Sequence, residues 1–544
     1  MRFLLVSVAG CPRSPSDFIP DNGLALLAAI LRENGHFSKI LDYNTPSTLR
    51  RCFPPHISRK LQGIAEKIFK GEKPGFREII SLSLMEKSLA AHHRRVFYEI
   101  GAEIADIVAR ERFDAVGLKL WNGDGITASF AVAEVIKKRN PRTAVFGGGP
   151  HVDSFQETLL SATNRFDAFS YGEGEKTILD LCNFVQGKKN LEDIPNLIFR
   201  KGTKIVTTPQ QWIDDLDRLP FGLYDPETYP GMDKNERLKY LVLDESRGCS
   251  YSCSFCPHPR KSGKPKTKSA DRIVDEIEHY RKTYGVSLFR YAGSNTPSRL
   301  LNKTAEEIIR RGLTIEYTGF TDLRGNGPDF SSLKQSGCFG LFFGIESADE
   351  RILTEKMNKR SSPADMEKIL LAAKKAGIFC VTSLIIPSPG ETEKSKQTTF
   401  EFLRRTLPDA AVVQFPGLFP GTAWAREPER FGFSVGDIER YKRRVMTYKI
   451  RLFFPPRLWD PLPYRIDGKP FRQYVGETEE FVKRIEQLGI PTSISDDWAL
   501  MAKHAGCTPR EFRDSNRLNF FTGNADALHE TIMNINANTE RLLP

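Results

Sequence analysis

The sequence has little of several features that mark whole classes of protein. Its 544 residues include only nine cysteines, an odd number, and most of them are isolated, which does not describe a disulfide framework. No apolar run is long enough to span a bilayer, and there is no low-complexity tract and no repeat of about 20–50 residues. The isolated cysteines are Cys11, Cys52, Cys182, Cys338, Cys380 and Cys507.

The distribution of charge argues against a nucleic-acid partner. The net charge is +11, but the basic residues are dispersed and form no stripe of the kind that binds nucleic acid. The densest basic run, RKSGKPKTKS at 260–269, is typical of a solvated loop, with a phosphate or substrate contact as the alternative. With 40% hydrophobic and 27% charged residues, the length predicts a globular chain of roughly two to four domains.

The first residues, MRFLLVSVAGC, need a separate interpretation. Their small residues before Cys11 resemble a lipoprotein cleavage box, but the apolar stretch 3–9 is short for a signal segment. The same residues suit a buried first strand, and an α/β pattern follows at once. We therefore predict a cytoplasmic protein.

Residues 1–187 alternate strand and helix patterns, interrupted at about 46–100 by an insertion of mixed helical and proline-containing sequence. This order predicts a Rossmann-like, doubly wound parallel sheet, in which ligands bind at the carboxyl ends of the strands. One helix of this series is predicted over 154–162. Residues 188–235 are predicted to form a connector, with a hairpin across Lys201-Gly202 and then a Pro/Gly-rich linker.

A second series of about six strand–helix units occupies 236–424. It predicts a partial (β/α)6 barrel of the TIM type, with its active site at the carboxyl ends of the strands. Ser269 and Ser362 are predicted helix caps, and Gly285 is a predicted helix stop. The tail, 425–544, is predicted to be mostly helical, with aromatic residues that build its core or shape a substrate pocket.

Glycines cluster at two predicted strand ends, VFGGGPH at 145–151 and YGEGE at 171–175. Backbone without Cβ atoms lets a bulky ligand approach closely. The alternative is that these glycines only make tight turns between strands and helices.

The most informative stretch is RGCSYSCSFCPHP at 247–259, which brings three cysteines into one loop: Cys249, Cys253 and Cys256. Two interpretations compete. One is a zinc site completed by His258. The other is a [4Fe–4S] cluster held at three corners, which leaves one iron free to bind a substrate. The position after the first barrel strand, with no fourth cysteine nearby, favours the cluster.

The Cys-x-x-x-Cys-x-Phe-Cys spacing after a barrel strand resembles the signature of the radical S-adenosylmethionine (SAM) superfamily, over 239–422. The resemblance implies that the free iron chelates SAM and that an electron from the cluster yields a 5′-deoxyadenosyl radical. It implies an electron donor such as flavodoxin or ferredoxin. It also implies SAM contacts in GIES (344–347), in IPSPGET (386–392) and elsewhere: Phe255, Ala292, Gly293, Ser294, Glu346, Ser383 and Pro389.

The glycine-rich segments, GGPH and GEGE, resemble the cobalamin (B12)-binding domain of class B radical SAM methyltransferases. The motif Asp-x-His-x-x-Gly is missing, so the resemblance implies cobalamin bound base-off, without a histidine on cobalt. Trp121, Asn122 and Gly123 would lie near the lower face of the cobalt. The other implied cobalamin contacts follow the two strand ends: Gly147, Gly148, Gly149, Pro150, His151, Tyr171, Gly172, Glu173 and Gly174.

The resemblance implies a C-methyltransferase that acts on an unactivated carbon of a small molecule or peptide, using the adenosyl radical and methylcobalamin. The scattered histidines offer no acid–base pair, which agrees with radical chemistry. Three alternatives stay open. They are a cobalamin-containing radical SAM enzyme that catalyses a cyclisation, rearrangement or oxidation, a non-enzymatic cobalamin-binding regulator, and a zinc-containing nucleic-acid binder.

Overall fold

Two parallel sheets organise the chain. The computed structural model describes residues 1–544 except 70, 71, 73, 122, 234, 294, 322 and 544, and it leaves the side chains of 69, 259 and 260 undescribed. The strands are β1 (Arg2–Ser7), β2 (Phe37–Asp42), β3 (Ala115–Lys119), β4 (Ala144–Gly148), β5 (Ala168–Ser170), β6 (Leu197–Lys201), β7 (Lys204–Thr207), β8 (Tyr240–Leu243), β9 (Ser246–Arg247), β10 (Lys266–Thr267), β11 (Leu288–Tyr291), β12 (Glu316–Phe320), β13 (Cys338–Glu346), β14 (Phe379–Ile385), β15 (Ala410–Gln414), β16 (Phe433–Val435) and β17 (Tyr464–Ile466).

The α-helices connect and cover these strands. They are α1 (Asn22–Glu33), α2 (Pro46–Cys52), α3 (Pro55–Phe69), α4 (Phe76–Glu111), α5 (Asp124–Arg139), α6 (Pro150–Phe155), α7 (Glu157–Ala162), α8 (Glu175–Val185), α9 (His258–Ser262), α10 (Ala270–Tyr284), α11 (Ser298–Arg310), α12 (Phe330–Gln335), α13 (Pro363–Lys375), α14 (Glu393–Thr406), α15 (Ala423–Arg426), α16 (Ile438–Met446), α17 (Phe471–Gln487), α18 (Asp496–His504), α19 (Pro509–Thr522) and α20 (Ala525–Thr539).

The first sheet has the strand order β2-β1-β3-β4-β5-β6-β7. Its first five strands are parallel, and the apolar side chains of β1 are almost fully buried, as a strand with helices on both faces requires. The predicted Rossmann-like sheet is therefore confirmed. The hairpin expected across Lys201-Gly202 also forms, as β6 and β7. Strand β6 pairs antiparallel with β5, and its apolar residues 197–199 are buried.

The predicted insertion forms three helices, α2, α3 and the 36-residue α4. The apolar side of α4 is buried and packs against α5 beside the first sheet. One detail of the predicted helices is wrong. The single helix expected over 154–162 is two short helices, α6 and α7. Pro150 starts the first, and Gln156, with a left-handed φ of 39°, separates it from the second.

The second sheet has the order β15-β14-β13-β12-β11-β8 and is parallel throughout, with helices α10 to α14 between successive strands. This is the predicted partial (β/α)6 barrel. Ser269 and Ser362 cap α10 and α13 by accepting backbone N–H bonds, and Gly285 ends α10 with a φ of 63°, as predicted. Helix α11 begins at Ser298, earlier than the apolar pattern indicates.

The tail closes two open sides of the barrel. At the N-terminus of α18, Asp496 accepts a hydrogen bond of 2.7 Å from Arg290 of β11. At the free edge of β15, segment 491–493 runs alongside Ala411, whose N–H donates to Pro491 and whose carbonyl accepts from Ser493, both at 2.9 Å. No helix in the described part of the chain has both the length and the apolar character of a membrane span.

Candidate cofactor site between the two sheets

A deep cavity begins at the carboxyl edge of the first sheet and reaches the second. It holds about 1680 Å³ of empty space, part of which is open to solvent. Its far side includes Val242, which lies in β8, and Asp244 and Ala292, which directly follow β8 and β11. Its deep wall is apolar and comes from the first sheet, α1 and α8: Phe3, Leu5, Phe146, Leu24, Leu27, Ile178 and Leu181. One cavity is thus shared by both sheets.

Both glycine clusters line this cavity, through Gly147–Gly149, Gly172 and Gly174. The glycines differ in what they permit. A Cβ atom on Gly147 would lie 2.5 Å from the Phe169 ring, so this glycine allows close packing inside the sheet. A Cβ on Gly148 would meet nothing nearer than the Ser170 carbonyl at 3.8 Å. At Gly148 the missing side chain therefore leaves space that a ligand can fill.

Two buried polar atoms beside the glycines are unsatisfied. Trp121 Nε1 and His151 Nδ1 have no hydrogen-bond partner among the described residues. The two rings lie 6.4 Å apart, and Lys119 Nζ lies 4.5 Å from the Trp121 ring. Burial lowers the pKa of His151 to about 4, so its imidazole is neutral near pH 7. Because unpaired buried polar atoms are costly, these positions suit a ligand with hydrogen-bonding groups.

The other predicted cobalamin contacts lie in different settings. His151, Pro150 and Tyr171 line a second, adjoining cavity, which also includes His258. Gly123 lies under the tail: its N–H donates to Met446 O at 3.2 Å, and a Cβ there would lie 2.6 Å from Tyr448 O. Asn122 lies outside the described residues.

The cysteine loop is held from two sides. Ser254 N–H donates to Met357 O at 2.8 Å, and Ser254 O accepts from Trp424 N–H at 3.0 Å. The half-buried Phe255 ring packs 5.7 Å from the fully buried Trp424. This fixes the backbone between the cysteines, so the loop keeps its shape by contacts with the segment after β13 and with α15.

The three thiols of the cysteine loop share one environment. All three are half-buried, and burial raises the pKa of Cys253 and brings that of Cys256 to about 12. Thiolates from one short loop are the ligands that an iron–sulfur cluster takes.

Polar groups at neighbouring strand ends face the same region. Glu346 ends β13 with a φ of 66°, accepts a 3.1 Å hydrogen bond from Ser383 Oγ, and lies 3.8 Å from Lys359 Nζ. Burial raises the Glu346 pKa, and it is one of the charges acting on Cys253. The structure therefore brings Glu346 and Ser383 together, near the cysteine loop.

The segment after β11 is fixed by a carboxylate that sequence reasoning missed. Glu245, just after β8, accepts hydrogen bonds from Gly293 N–H at 3.0 Å and from Thr296 Oγ1 at 2.6 Å. Burial raises its pKa to about 7. Ala292 is exposed to the large cavity, and Ser294 lies outside the described residues.

The remaining predicted SAM contact lies in the turn after β14. Pro389 is buried there, and the N–H of the next residue, Gly390, donates to Asp467 at 2.7 Å. The turn is thereby tied to the tail.

A buried ion network joins the two sheets at the cysteine loop. Arg247, two residues before Cys249, donates to Glu173 at 3.0 Å and to Glu175 at 2.6 Å, and pairs with Asp244 at 2.6 Å. Lys266 also binds Glu173, at 2.7 Å. The GEGE segment of the first sheet thus holds the start of the cysteine loop. The sequence shows these charges but not that they meet, since about 70 residues separate the partners.

Comparisons with known proteins agree with this architecture. Residues 246–403 match the family model of the radical SAM superfamily, and residues 78–181 match that of the B12 binding domain. An uncharacterized methyltransferase of Pyrococcus horikoshii is 29% identical over 330 residues, which is 59% of this chain and 70% of that protein. The anaerobic magnesium-protoporphyrin IX monomethyl ester cyclase of Rubrivivax gelatinosus is 24% identical over 325 residues, 57% of this chain and 58% of the cyclase.

The fold is shared by a solved structure, that of the radical SAM methyltransferase TsrM from Kitasatospora setae with cobalamin and a [4Fe-4S] cluster bound. The TM-score is 0.65 at 15% identity, over 97% of this chain and 99% of that chain. The chain thus contains one region that matches the radical SAM superfamily and one that matches the B12 binding domain. It is similar in sequence to a protein named as a methyltransferase, and it shares its fold with a radical SAM methyltransferase.

Proposed function

We propose that this chain is a cobalamin-dependent radical SAM enzyme that methylates an unactivated carbon of a small molecule or peptide. The observation that carries the proposal is the shared cavity, which extends from the glycines of the first sheet to the strand ends beside the cysteine loop. Radical chemistry needs its reacting groups close together and away from water. The names of the relatives and the two family matches support the same conclusion.

The first sheet would hold cobalamin. The apolar wall between the sheet and helices α1 and α8 suits the dimethylbenzimidazole tail, and the space at Gly148 suits close approach to the backbone. Trp121 Nε1 would donate a hydrogen bond to a polar side arm, and His151 Nδ1 would donate or accept another. Because the Asp-x-His-x-x-Gly motif is missing, we assign no histidine to cobalt.

The second sheet would hold the cluster and SAM. Cys249, Cys253 and Cys256 would bind three irons. Glu346, oriented by Ser383 and balanced by Lys359, would make polar contacts to SAM, and Glu245 would hold the Gly293 backbone in position for the same ligand. When bound, the cluster and SAM supply an adenosyl radical, and cobalamin supplies a transferable methyl group.

The tail and an external protein would complete the reaction. Phe419 and Val445 line the second cavity and would shape the substrate pocket. An electron donor such as flavodoxin or ferredoxin would reduce the cluster, because [4Fe–4S] clusters accept electrons at low potential.

We place the enzyme in the cytoplasm, where reducing conditions keep isolated cysteines as thiols.

The test is anaerobic reconstitution of the full chain with iron, sulfide and cobalamin, followed by incubation with SAM, a strong reductant and extracts of the producing cells. The added SAM carries a deuterated methyl group and is the methyl source. We expect 5′-deoxyadenosine, S-adenosylhomocysteine and a product that carries the deuterated methyl group. The matched control is Cys253→Ala, prepared in the same way, which should form none of them.

The relationship to the cyclase makes a non-methylating reaction the second candidate. Formation of 5′-deoxyadenosine without any labelled product or S-adenosylhomocysteine would favour that candidate over methylation. Cobalamin binding without any cleavage of SAM would favour a regulator instead, and both outcomes would count against the methyltransferase.

A further inference from the structure

Two of the isolated cysteines meet a histidine on the far side of the first sheet. Cys11 lies in the loop after β1, Cys52 is the last residue of α2, and His93 is in the middle of α4. The two sulfurs and one ring nitrogen of His93 all lie within 4.8 Å of one another. Both cysteines are buried, with exposures of 5% and 0%, and His93 is 9% exposed. Three ligands of the two types that zinc prefers thus converge from three separate elements.

A hydrogen bond fixes the orientation of the histidine ring. His93 Nε2 lies 3.1 Å from the carbonyl oxygen of Cys52, and because a carbonyl only accepts, Nε2 carries the hydrogen. The lone pair of the neutral ring is therefore on Nδ1. Metal-binding histidines commonly donate their second N–H to a backbone carbonyl in this way, which fixes the ring. Nε2 of the neighbouring His92 lies 2.8 Å from Arg51 O. Helix α4 therefore contacts the end of α2 through two histidines.

The charges around the group are consistent with a neutral site. Asp124, at the start of α5, is paired with Arg13 and with Lys449, the latter at 2.7 Å, so its carboxylate is already engaged. Two thiolates would balance the charge of one divalent ion, which removes the main cost of burying it. With two sulfurs and one nitrogen supplied by the chain, the fourth tetrahedral position is left for a water molecule.

We propose that Cys11, Cys52 and His93 hold a Zn²⁺ ion that fastens the inserted helices α2 and α4 to the loop after β1. Binding releases the two thiol protons to solvent and involves no change of oxidation state. The site is separate from the cysteine triplet. It braces the loop that carries Arg13, whose partner Asp124 follows directly after the segment containing Trp121.

The test measures zinc in the full chain, without an affinity tag, from cells grown with added zinc. The protein carries Cys249→Ala, Cys253→Ala and Cys256→Ala, so that the triplet cannot take up the metal. We expect about one zinc per chain, and X-ray absorption that fits two sulfurs at about 2.3 Å and nitrogen or oxygen at about 2.0–2.1 Å. Substoichiometric zinc, or a spectrum with only nitrogen and oxygen ligands, would overturn the proposal.

In the same background, Cys11→Ala and His93→Ala are compared with Cys182→Ala, which removes another buried thiol of the first domain. We expect zinc to fall at least about tenfold in the first two variants and to stay near one per chain in the third. Equal zinc in all three would contradict the site. So would a Cys11–Cys52 disulfide in anaerobically prepared protein, detected by alkylation and mass spectrometry. If the Cys11 and His93 variants fail to fold, the X-ray absorption spectrum of the protein that keeps Cys11, Cys52 and His93 still tests the proposal.

Discussion

The two parallel sheets present opposite kinds of surface at the same edge. At the carboxyl end of the first, β4 and β5 lead into glycines and an apolar wall, so the site consists mostly of space and backbone. At the carboxyl end of the second, β8 and β13 lead into thiols and carboxylates, namely the cysteine loop, Glu245 and Glu346. Both follow the rule that open parallel sheets bind ligands at this edge.

The difference corresponds to what each ligand needs. A large ligand with an apolar tail is held by shape, so the first sheet contributes by omitting side chains. An iron–sulfur cluster and a zwitterionic cosubstrate are held by charge and by metal–sulfur bonds, so the second sheet contributes reactive side chains. The Arg247 network is where these two modes meet, because carboxylates of the GEGE segment bind the base of the cysteine loop.

The largest effect is expected at the second sheet, from Cys253→Ala. Loss of one of three sulfurs should abolish stable cluster binding and, with it, cleavage of SAM. Iron and sulfide content and formation of 5′-deoxyadenosine are the measurements. Cys507→Ala, a half-buried thiol in the tail, is the control and should keep both. Full iron and normal cleavage in the Cys253 variant would show that the triplet is not the cluster site.

The first sheet should respond to added bulk instead. In Gly148→Leu the added Cβ meets only the Ser170 carbonyl, at 3.8 Å, so we expect normal folding and cobalamin affinity reduced roughly ten- to hundredfold, about 1.4–2.8 kcal/mol. Gly63→Leu, at an exposed position of α3 with equal room, should bind normally. Binding is followed by absorbance titration and folding by thermal melting. Unchanged affinity in the Gly148 variant would place cobalamin elsewhere.

The contact between the sheets is tested by Arg247→Met. The change leaves Glu173, Glu175 and Asp244 buried with less compensating charge, which should lower the unfolding free energy by about 3–5 kcal/mol. Arg430→Met removes an exposed arginine paired with Glu427 and should cost less than about 1 kcal/mol. Urea midpoints of both variants are compared. Similar midpoints would mean that the network adds little to the union of the sheets.

The smallest effect concerns Glu245, whose pKa burial raises from 4.5 to about 7. The folded chain holds the proton more tightly than the unfolded chain, so the stability from this group is complete below pH 4.5 and is lost as pH rises through about 7. Glu245→Gln cannot ionise. Wild-type stability should therefore fall relative to the variant across this window, by an amount on the order of a few kcal/mol. Parallel melting curves against pH would disprove the assignment.

The sequence predicts both sheets well because their signals are local. Strands are short apolar runs, and helix ends are marked by residues such as Ser269, Gly285 and Ser362, whose effect depends only on neighbouring backbone. The cysteine triplet is local too, since all of its sulfurs lie in one loop. The break at Gln156 was missed because the apolar pattern continues across it while the backbone does not.

What could not be predicted depends on packing between distant segments. Glu173 and Arg247 look like ordinary surface charges until the two sheets are placed side by side. Cys11, Cys52 and His93 were interpreted as isolated residues, and their proximity follows from how α2 and α4 fold over the loop after β1. Neither arrangement has a sequence spacing that would indicate it.

The segment 491–493 that borders β15 has a consequence for engineering. Without it, the outermost strand of the barrel would offer unpaired amides and carbonyls to other molecules, a common origin of aggregation. Substrate range therefore cannot be changed by simply deleting the tail. A chimera that exchanges this region for that of a relative should keep these three residues, or a strand that replaces them, if the product is to remain in solution.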